Sequence, residues 1–423
     1  MAFEIGSGQM RVLGGRAALL AALVPWLVFP NVLPESGRAL LVGFGALLAL
    51  GYGAWLIWLQ DRSAGLAVAG VAALAVLSWW THDRSLADTQ QHFGGLAAGI
   101  LLCGVLAASA VDERQILAAG AVFAAGALAI LGVGLASVSV NTGKFVGVLR
   151  EVPVALTDSL PNYQLPLPGV QDGVVNPNAL GGVVLMVLPT VWAVFRSLQR
   201  GGWWTGGRAV ALSATLLGVL ILLVTRSRTA LAAVFVVGVC VLVWKMRRSL
   251  PAVVVVVGGM GALAVYGATY GGEFGLVADS ARTRSVIWSA ALDRLQESPW
   301  AGIGINHFKD VPSPEGSGVP PAVPHAHNTF IQVALDLGVP GLLAYVMFMG
   351  RLLVLSARRG VVPLSVECLA VGAGVSLAAV HLFGMADAIS LGAKVGMFVW
   401  LNAGLILAVH GRRTGIMARG ARA

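Results

Sequence analysis

Long apolar runs separated by short polar segments dominate this chain of 423 residues. Most of the runs approach the roughly 20 residues that a helix needs to cross the hydrocarbon core of a bilayer. The pattern predicts an all-α polytopic membrane protein with about twelve transmembrane helices, in which residues 1–423 form a single integral membrane domain. The predicted spans are 13–33, 39–59, 64–80, 93–111, 116–138, 179–195, 209–224, 230–244, 252–270, 329–350, 364–385 and 392–410.

The composition supports this class and excludes several others. Apolar residues make up 57% of the chain and charged residues 11%, whereas an average soluble domain has about 25% charged residues. A soluble fold of this size could not cover its surface with so few charges, which excludes a cytosolic enzyme, a nucleic-acid-binding module and a disordered chain. Cys103, Cys240 and Cys368 all fall in apolar spans and predict neither a disulfide framework nor a metal site.

The charged residues are distributed unevenly between the two sides of the predicted helix bundle. With the N-terminus in the cytoplasm, 17 of the 28 Lys and Arg residues lie on the cytoplasmic side, and 13 of the 19 Asp and Glu residues lie on the other side. Cytoplasmic segments of membrane proteins carry an excess of Lys and Arg, so both termini are predicted to be cytoplasmic. The net charge of +9 therefore indicates membrane orientation rather than nucleic-acid binding.

Two of the predicted outer loops are long, at 139–178 and 271–328. Long connections in a compact protein are commonly functional. The second loop precedes the tenth predicted helix and contains a helical pattern at about 280–297, which Asp279 or Ser280 can cap and Pro299 ends. We expect this loop to carry part of the active site.

Four arginines stand at the predicted outer edge of the membrane, where ionisable residues are functional candidates. Arg226 and Arg228 lie in a tight turn between two apolar runs, and Arg282 and Arg284 lie near the start of the loop helix. Guanidinium groups stay charged and bind phosphate bidentately, so these residues are candidate anion ligands. The alternative is that the turn arginines reach lipid headgroups and the helix arginines are ordinary solvated charges.

Two histidines, His325 and His327, lead directly into the span that begins near Thr329. The positive end of the helix dipole disfavours imidazolium there, and a neutral imidazole is what a general base requires. The alternative is a capping or packing pair. Two histidines with no clear third ligand do not predict a metal site. Asp387, in a short outer turn, is a candidate to orient a histidine or pair with an arginine, or an ordinary polar turn residue.

The segment at the tenth span reads His327-Asn328, nine residues, then Gly338-x-x-Gly341, and it resembles the signature of the O-antigen ligases. Further features along roughly 170–345 resemble the wider ligase and polymerase superfamily in the same order. They are Asn176-Pro177-Asn178 opening a span, Ser227-Arg228 between two spans, Arg284-x-x-x-Trp288, and Ser298-Pro299-Trp300-Ala301-Gly302-Ile303-Gly304 followed by Phe308.

The resemblance implies a glycosyltransferase at the periplasmic face of a Gram-negative inner membrane. Such enzymes transfer a polysaccharide from undecaprenyl pyrophosphate to a sugar hydroxyl of lipid A–core, without a metal, nucleotide or other cofactor. It implies His327 as the general base, with some choice left between His327 and His325, and the four arginines as pyrophosphate ligands. The supporting residues would be His325, Asn328, Trp288, Asp387, Gly338 and Gly341.

Two alternatives remain from the sequence alone. An O-antigen polymerase or a protein O-oligosaccharyltransferase would share the donor and the arginines and differ in the acceptor. A lipid or sugar transporter is the alternative of another class. Glu367 and His381 are the only clear ionisable residues predicted deep in spans, which is few for proton-coupled transport.

Overall fold

The computed structural model describes residues 24–83, 87–110, 112–137, 176–200, 205–225, 227–246, 274–311, 323–358, 360 and 362–420. All regular secondary structure in these ranges is helical, which confirms the predicted all-α class. The α-helices are α1 Val24–Val28, α2 Arg38–Gln60, α3 Arg62–Thr81, α4 Ala87–Ser109, α5 Glu113–Ser137, α6 Pro177–Arg200, α7 Thr205–Thr225, α8 Arg228–Met246, α9 Phe274–Glu297, α10 Thr329–Ala357, α11 Leu364–Phe383 and α12 Met397–Gly420.

Within the described ranges, nine helices are long and apolar enough to cross a membrane, namely α2 to α7 and α10 to α12. Helix α8 overlaps a further predicted span, but its described apolar part is the shorter segment Thr229–Val239. In the predicted span 13–33, α1 ends at Val28 and a 3₁₀ turn, Pro30–Val32, follows. The predicted span 252–270 and the long loop 139–178, except its last three residues, lie outside the described residues, so the count of twelve stays a prediction.

The helices pack closely where glycine is present. The backbones of α2 and α4 meet at Gly53 and Gly104: a Cβ on Gly53 would lie 2.7 Å from the carbonyl oxygen of Ile100, and one on Gly104 would lie 2.6 Å from that of Gly53. Small residues of this kind allow membrane helices to approach one another. Helix α4 also packs on α12, α3 packs on α10, and α6 packs on α7, α8 and α11.

The start of α10 and the end of α11 are joined by hydrogen bonds. The N–H of Thr329 donates to the carbonyl oxygen of Gly384 at 2.7 Å. The side chain of Asn328 caps α10 by accepting from the N–H groups of Phe330 and Ile331, and its Nδ2 donates to the carbonyl oxygen of Met385 at 3.0 Å. These bonds hold segments 325–328 and 384–387 side by side at one end of the bundle.

Helix α10 breaks at Gly338, whose φ of 74° and ψ of 171° are not helical. The break opens backbone groups for the loop that follows α9. The N–H of Ile303 donates to the carbonyl oxygen of Leu335 at 2.7 Å, and the N–H of Val339 donates to that of Pro299 at 2.8 Å. The loop 298–305 is therefore docked on the kink of α10.

Helix α9 is longer than the sequence predicted. It ends at Glu297, as Pro299 indicated, but it begins at Phe274 rather than near 280. Asp279 and Ser280 lie inside the helix, so their predicted role as caps is wrong. The residues Leu276, Val277 and Ala278 contain no helix-breaking signal, so the helix starts before the polar pair that resembled a cap.

The opposite end of the bundle contains a half-buried ion pair. Arg351 of α10 donates to Asp61 through Nη2 at 2.6 Å and through Nε at 3.1 and 3.2 Å. Asp61 also caps α3 by accepting from the N–H of Ala64, and Nε2 of His410 lies 3.5 Å from its carboxylate. The pair joins the α2–α3 turn to α10 and α12.

Candidate active site

His327 and Asp387 form a side-chain pair where the loops before α10 and after α11 meet. Nδ1 of His327 lies 3.2 Å from Oδ1 of Asp387, which also accepts from the N–H of Ala388 at 2.9 Å. Burial alone would raise the pKa of Asp387, but the hydrogen bond from His327 and the charges of His325 and His327 hold it below its usual value. The ionised carboxylate accepts the proton of Nδ1, which leaves Nε2 of His327 as the proton-accepting atom.

The backbone of His327 is in the left-handed region, with φ of 47°. Among the described non-glycine residues, only Asn306 shares a positive φ, at 62°. Such conformations cost on the order of 1–3 kcal/mol and cluster at functional sites, where the surrounding contacts maintain them. The conformation of His327 is therefore a second indication that this loop carries function.

His325 lies against His327, with ring centroids 4.3 Å apart. Its Nδ1 accepts the backbone N–H of His327 at 3.2 Å, and its Nε2 lies 3.9 Å from Oδ1 of Asp387. Burial, and secondarily the charge of His327, lower the pKa of His325 to about 4. Of the two histidines, His327 has the carboxylate partner that a general base needs, and its Nε2 has no hydrogen-bond partner among the described residues.

A chain of hydrogen bonds connects the histidine loop, which carries His325 and His327, to α10 and α3. The N–H of Ala326 donates to Oε1 of Gln332 at 3.0 Å, and Nε2 of Gln332 donates to Oδ1 of Asp336 at 2.9 Å. Oδ1 of Asp336 also accepts from the N–H of Asn306 at 3.1 Å, and its carbonyl accepts from the hydroxyl of Ser78 at 2.7 Å. Asp336 is thus connected to α3 through its backbone carbonyl, and to Asn306 and the histidine loop through its buried carboxylate.

Asp336 was not among the predicted site residues, and Glu367 is not where the sequence predicted it. Asp336 lies in the tenth predicted span, one helical turn after Gln332, and the isolated carboxylate in an apolar run was the available signal. Glu367 lies in the first turn of α11 and accepts the N–H of Gly360, so its predicted position deep in a span is wrong. His381 is within α11 as predicted and is hydrogen-bonded to the hydroxyl of Tyr345, so it is a satisfied packing residue.

The arginine turn between α7 and α8 is as tight as the sequence predicted. Helix α7 ends at Thr225 and α8 begins at Arg228. Between them, Ser227 is fully buried, and its hydroxyl accepts the N–H of Ala230 at 3.3 Å. Arg226 lies outside the described residues, and only the backbone of Arg228 is described.

The first turns of α6 connect this turn with the segment that carries Asp387. A Cβ on Gly181 would lie 2.9 Å from Cβ of Ser227, and one on Gly182 would lie 2.6 Å from the ring of Phe383 and 2.9 Å from Ile389. As predicted, α6 begins at Asn176-Pro177-Asn178, with the Asn176 side chain accepting the N–H of Asn178. The arginine turn and the Asp387 segment therefore lie on two sides of the start of α6.

Helix α9 packs beside the histidine loop through an apolar face. Ile287 and Ala291 are buried in one cluster with Phe308, Val323, Ala326 and Leu335, and Trp288 packs against it. Arg284, half-buried, lies one helical turn before Trp288, and Arg282 is exposed. Neither arginine forms an ion pair with a described residue, and the buried indole N–H of Trp288 has no hydrogen-bond partner among them.

The three side chains could also serve as metal ligands, since one ligand atom from each of His325, His327 and Asp387 lies within 4.8 Å of the others. Asp387 is the third ligand that the sequence did not reveal, so that argument against a metal was wrong. The hydrogen bonds give a different argument. Nδ1 of His325 is occupied by a backbone N–H, and Nδ1 of His327 carries a proton for Asp387, so both rings would have to change tautomer to bind a cation there.

Residues 213–346 match a family model described as O-antigen ligase. We call these matched residues the O-antigen ligase segment, after the family to which they are similar. The resemblance inferred from the sequence is confirmed over this range, which includes the arginine turn, Trp288, His327 and the kink at Gly338. A comparison with curated proteins found no match.

The O-antigen ligase segment ends at residue 346, before Asp387. The fold brings the carboxylate of Asp387 to His327, through α11 and its contacts with the start of α10. The matched range and the nine described helices that are long and apolar enough to cross a membrane together support a multi-pass membrane protein with a segment similar to the O-antigen ligase family.

Proposed function

We propose that the protein is an O-antigen ligase of the Gram-negative inner membrane. It transfers a polysaccharide from undecaprenyl pyrophosphate to a sugar hydroxyl of lipid A–core at the periplasmic face. The observation that carries the proposal is the hydrogen-bonded pair of His327 and Asp387, formed by a histidine of the O-antigen ligase segment.

In the proposed reaction, Nε2 of His327 removes the proton of the acceptor hydroxyl while its oxygen attacks the anomeric carbon of the donor sugar. The new glycosidic bond forms as the bond to the pyrophosphate oxygen breaks. Undecaprenyl pyrophosphate leaves with the electron pair, and the anomeric configuration inverts. Asp387 holds the tautomer of His327 and stabilises the imidazolium that forms.

The arginines Arg226, Arg228, Arg282 and Arg284 bind the pyrophosphate in this proposal. Guanidinium groups are suited to this role because they remain charged and offer paired N–H donors. Negative charge grows on the leaving group in the transition state, and preorganised cations stabilise it. The indole N–H of Trp288, one turn after Arg284, has no hydrogen-bond partner among the described residues and is a further donor for the same substrate.

Reconstitution tests the proposal directly. The purified protein is mixed in liposomes with undecaprenyl pyrophosphate-linked glycan and rough lipopolysaccharide, with and without EDTA, and the glycan is followed by gel and mass spectrometry. We expect transfer to lipopolysaccharide that is unaffected by EDTA, is abolished in His327→Ala and is retained in His82→Ala, a histidine at the same end of the bundle. Lengthening of the lipid-linked glycan instead indicates a polymerase, and no transfer in the wild type overturns the proposal.

A further inference from the structure

His325 contacts both the backbone of His327 and its side-chain partner. Nδ1 of His325 accepts the N–H of His327 at 3.2 Å, whereas its Nε2 lies 3.9 Å from the carboxylate of Asp387. A separation of 3.9 Å is too long for a direct hydrogen bond. The direct hydrogen bond of His325 in this pair of contacts is therefore the one that its Nδ1 accepts from His327.

We propose that His325 is a positioning residue, whose Nδ1 accepts the N–H of His327 and so holds the base in the backbone conformation that brings its ring to Asp387. The inference rests on the proposed function, because His325 acts through the base rather than on the substrate. His325 is not part of the His327-Asn328 element that resembles the ligase signature.

The contact has the connectivity of an Asx turn. In that turn the side-chain oxygen of Asn or Asp accepts the backbone N–H two residues later. Nδ1 of histidine and Oδ1 of asparagine are both bonded to Cγ, so they lie at the same distance along the side chain. His325 takes the place of the asparagine in such a turn.

The residues on both sides of His327 are anchored to different elements. The N–H of Ala326 donates to Gln332 of α10, and the side chain of Asn328 donates to the carbonyl oxygen of Met385 after α11. Between these anchors His327 adopts φ of 47°, which non-glycine residues rarely occupy. The bond from its N–H to His325 supplies a third fixed point at the strained residue itself.

The acceptor role requires a neutral ring, because a protonated imidazole has a hydrogen on both nitrogens. Burial and the charge of His327 lower the pKa of His325 to about 4, while the carboxylate of Asp387 acts in the opposite direction. Nδ1 of His325 is therefore unprotonated at neutral pH and can accept the N–H of His327 throughout the reaction.

Two substitutions separate the two nitrogens of His325. Asparagine in His325→Asn places an oxygen where Nδ1 stands, and glutamine in His325→Gln places its terminal amide nearer the position of Nε2. We expect kcat of His325→Asn to stay within about threefold of the wild type, and that of His325→Gln to fall about tenfold or more because the base is misplaced. KM for the lipid-linked donor should change little in either variant, since neither touches the donor.

The outcomes are distinguishable from failure of the proposed function. If the wild-type protein transfers no glycan, the proposed function itself is wrong. If the wild type is active and His325→Gln is equally active, or if His325→Asn is as impaired as His325→Gln, the positioning role is wrong; the second result would indicate a need for the imidazole.

A second pair of variants, His325→Ser and His325→Ala, tests the same inference if His325→Gln does not fold. The hydroxyl of His325→Ser can accept the same N–H more weakly, whereas His325→Ala cannot accept it. We expect kcat of the serine variant to be at least about threefold higher than that of the alanine variant. Equal activities for the pair would overturn the inference.

Discussion

The carbonyl group of Trp300 lies where a Cβ on Gly338 would stand, at the point where α10 breaks and the loop after α9 docks on it. A side chain at Gly338 would collide with that carbonyl group. The glycine of the ligase-like signature is therefore a docking position for the loop 298–305, and it acts on the active site through the backbone rather than through chemistry.

We expect Gly338→Ala to lower the free energy of unfolding by about 1–3 kcal/mol from backbone strain, with a further loss from the collision. Thermal unfolding in detergent measures this. Gly350→Ala on the same helix is the control, because nothing lies within 4 Å of its missing Cβ; alanine should be neutral there or stabilising by up to about 1 kcal/mol. Equal melting temperatures for the two variants would contradict the docking role.

Removing the charge of Asp387 should impair chemistry more than binding. We expect Asp387→Asn to lower kcat about 100-fold, because the imidazolium loses its counter-charge, with little change in KM for the donor. Asp310→Asn is a matched control, since Asp310 also pairs with a histidine, His307, at 3.4 Å but has a 53% exposed side chain. A normal kcat in Asp387→Asn would show that the base lies elsewhere.

The arginines of α9 allow a comparison within one helix. Arg284→Ala should lower kcat/KM for the lipid-linked donor by tenfold or more, about the loss expected for one charge-assisted contact. Arg294→Ala should have no effect, because Arg294 forms an exposed pair with Glu297 near the end of the same helix. Similar kinetics for both variants would place the pyrophosphate site away from α9.

Hydrophobic patterning was sufficient for the nine membrane-length helices in the described residues, because each is long and its apolar character continuous. The start of α6 at Asn176-Pro177-Asn178 and the end of α9 before Pro299 were also predicted, since capping and helix-ending residues act locally. The tight turn at Ser227 followed from the absence of any loop between two apolar runs.

The contacts between distant segments could not be predicted in this way. Asp387 is separated from His327 by 60 residues, and the sequence left it equally suited to orient a histidine, pair with an arginine or lie in a turn. Asp336 was overlooked because its role depends on Ser78 and Asn306, which reach it only in the folded bundle. Such partners are determined by helix packing, which a single sequence does not specify.

The low pKa of His325 predicts a pH dependence of stability. Its pKa is about 4 in the folded protein, against 6.5 for an ordinary histidine. Between these values the unfolded chain binds a proton that the folded protein does not, so the free energy of unfolding rises with pH across this window. The full contribution of His325 is present above the window. The contribution lost at pH 4 is about 1–3 kcal/mol.

Unfolding of the wild type and of His325→Asn should therefore be compared at several values from pH 4 to pH 7. The variant keeps the acceptor for the N–H of His327 but has no group that titrates, so its stability should fall less steeply on acidification. When the free energy of unfolding of the variant is subtracted from that of the wild type at each pH, the contributions of the other histidines cancel. Parallel curves would mean that His325 titrates normally in the folded state.

The membrane orientation is testable through two arginines at opposite ends of the bundle, Arg294 near the end of α9 and Arg358 just after α10. Arg294 precedes α10 on the side of the histidine loop, and Arg358 follows it on the side of the Asp61–Arg351 pair. The distribution of Lys and Arg predicts that Arg294 faces the periplasm and Arg358 the cytoplasm. The proposed reaction requires this orientation, because both lipid-linked substrates present their sugars to the periplasm.

We expect cysteine in Arg294→Cys to react with a membrane-impermeant maleimide in intact spheroplasts, and cysteine in Arg358→Cys to react only after lysis. Cys103, Cys240 and Cys368 are first replaced by serine or alanine so that only the reporter reacts. Glycan transfer by each variant shows that the labelled protein is folded. The reverse pattern would put the His327–Asp387 pair on the cytoplasmic side, where it could not serve a periplasmic transfer, and the proposed function would have to be abandoned.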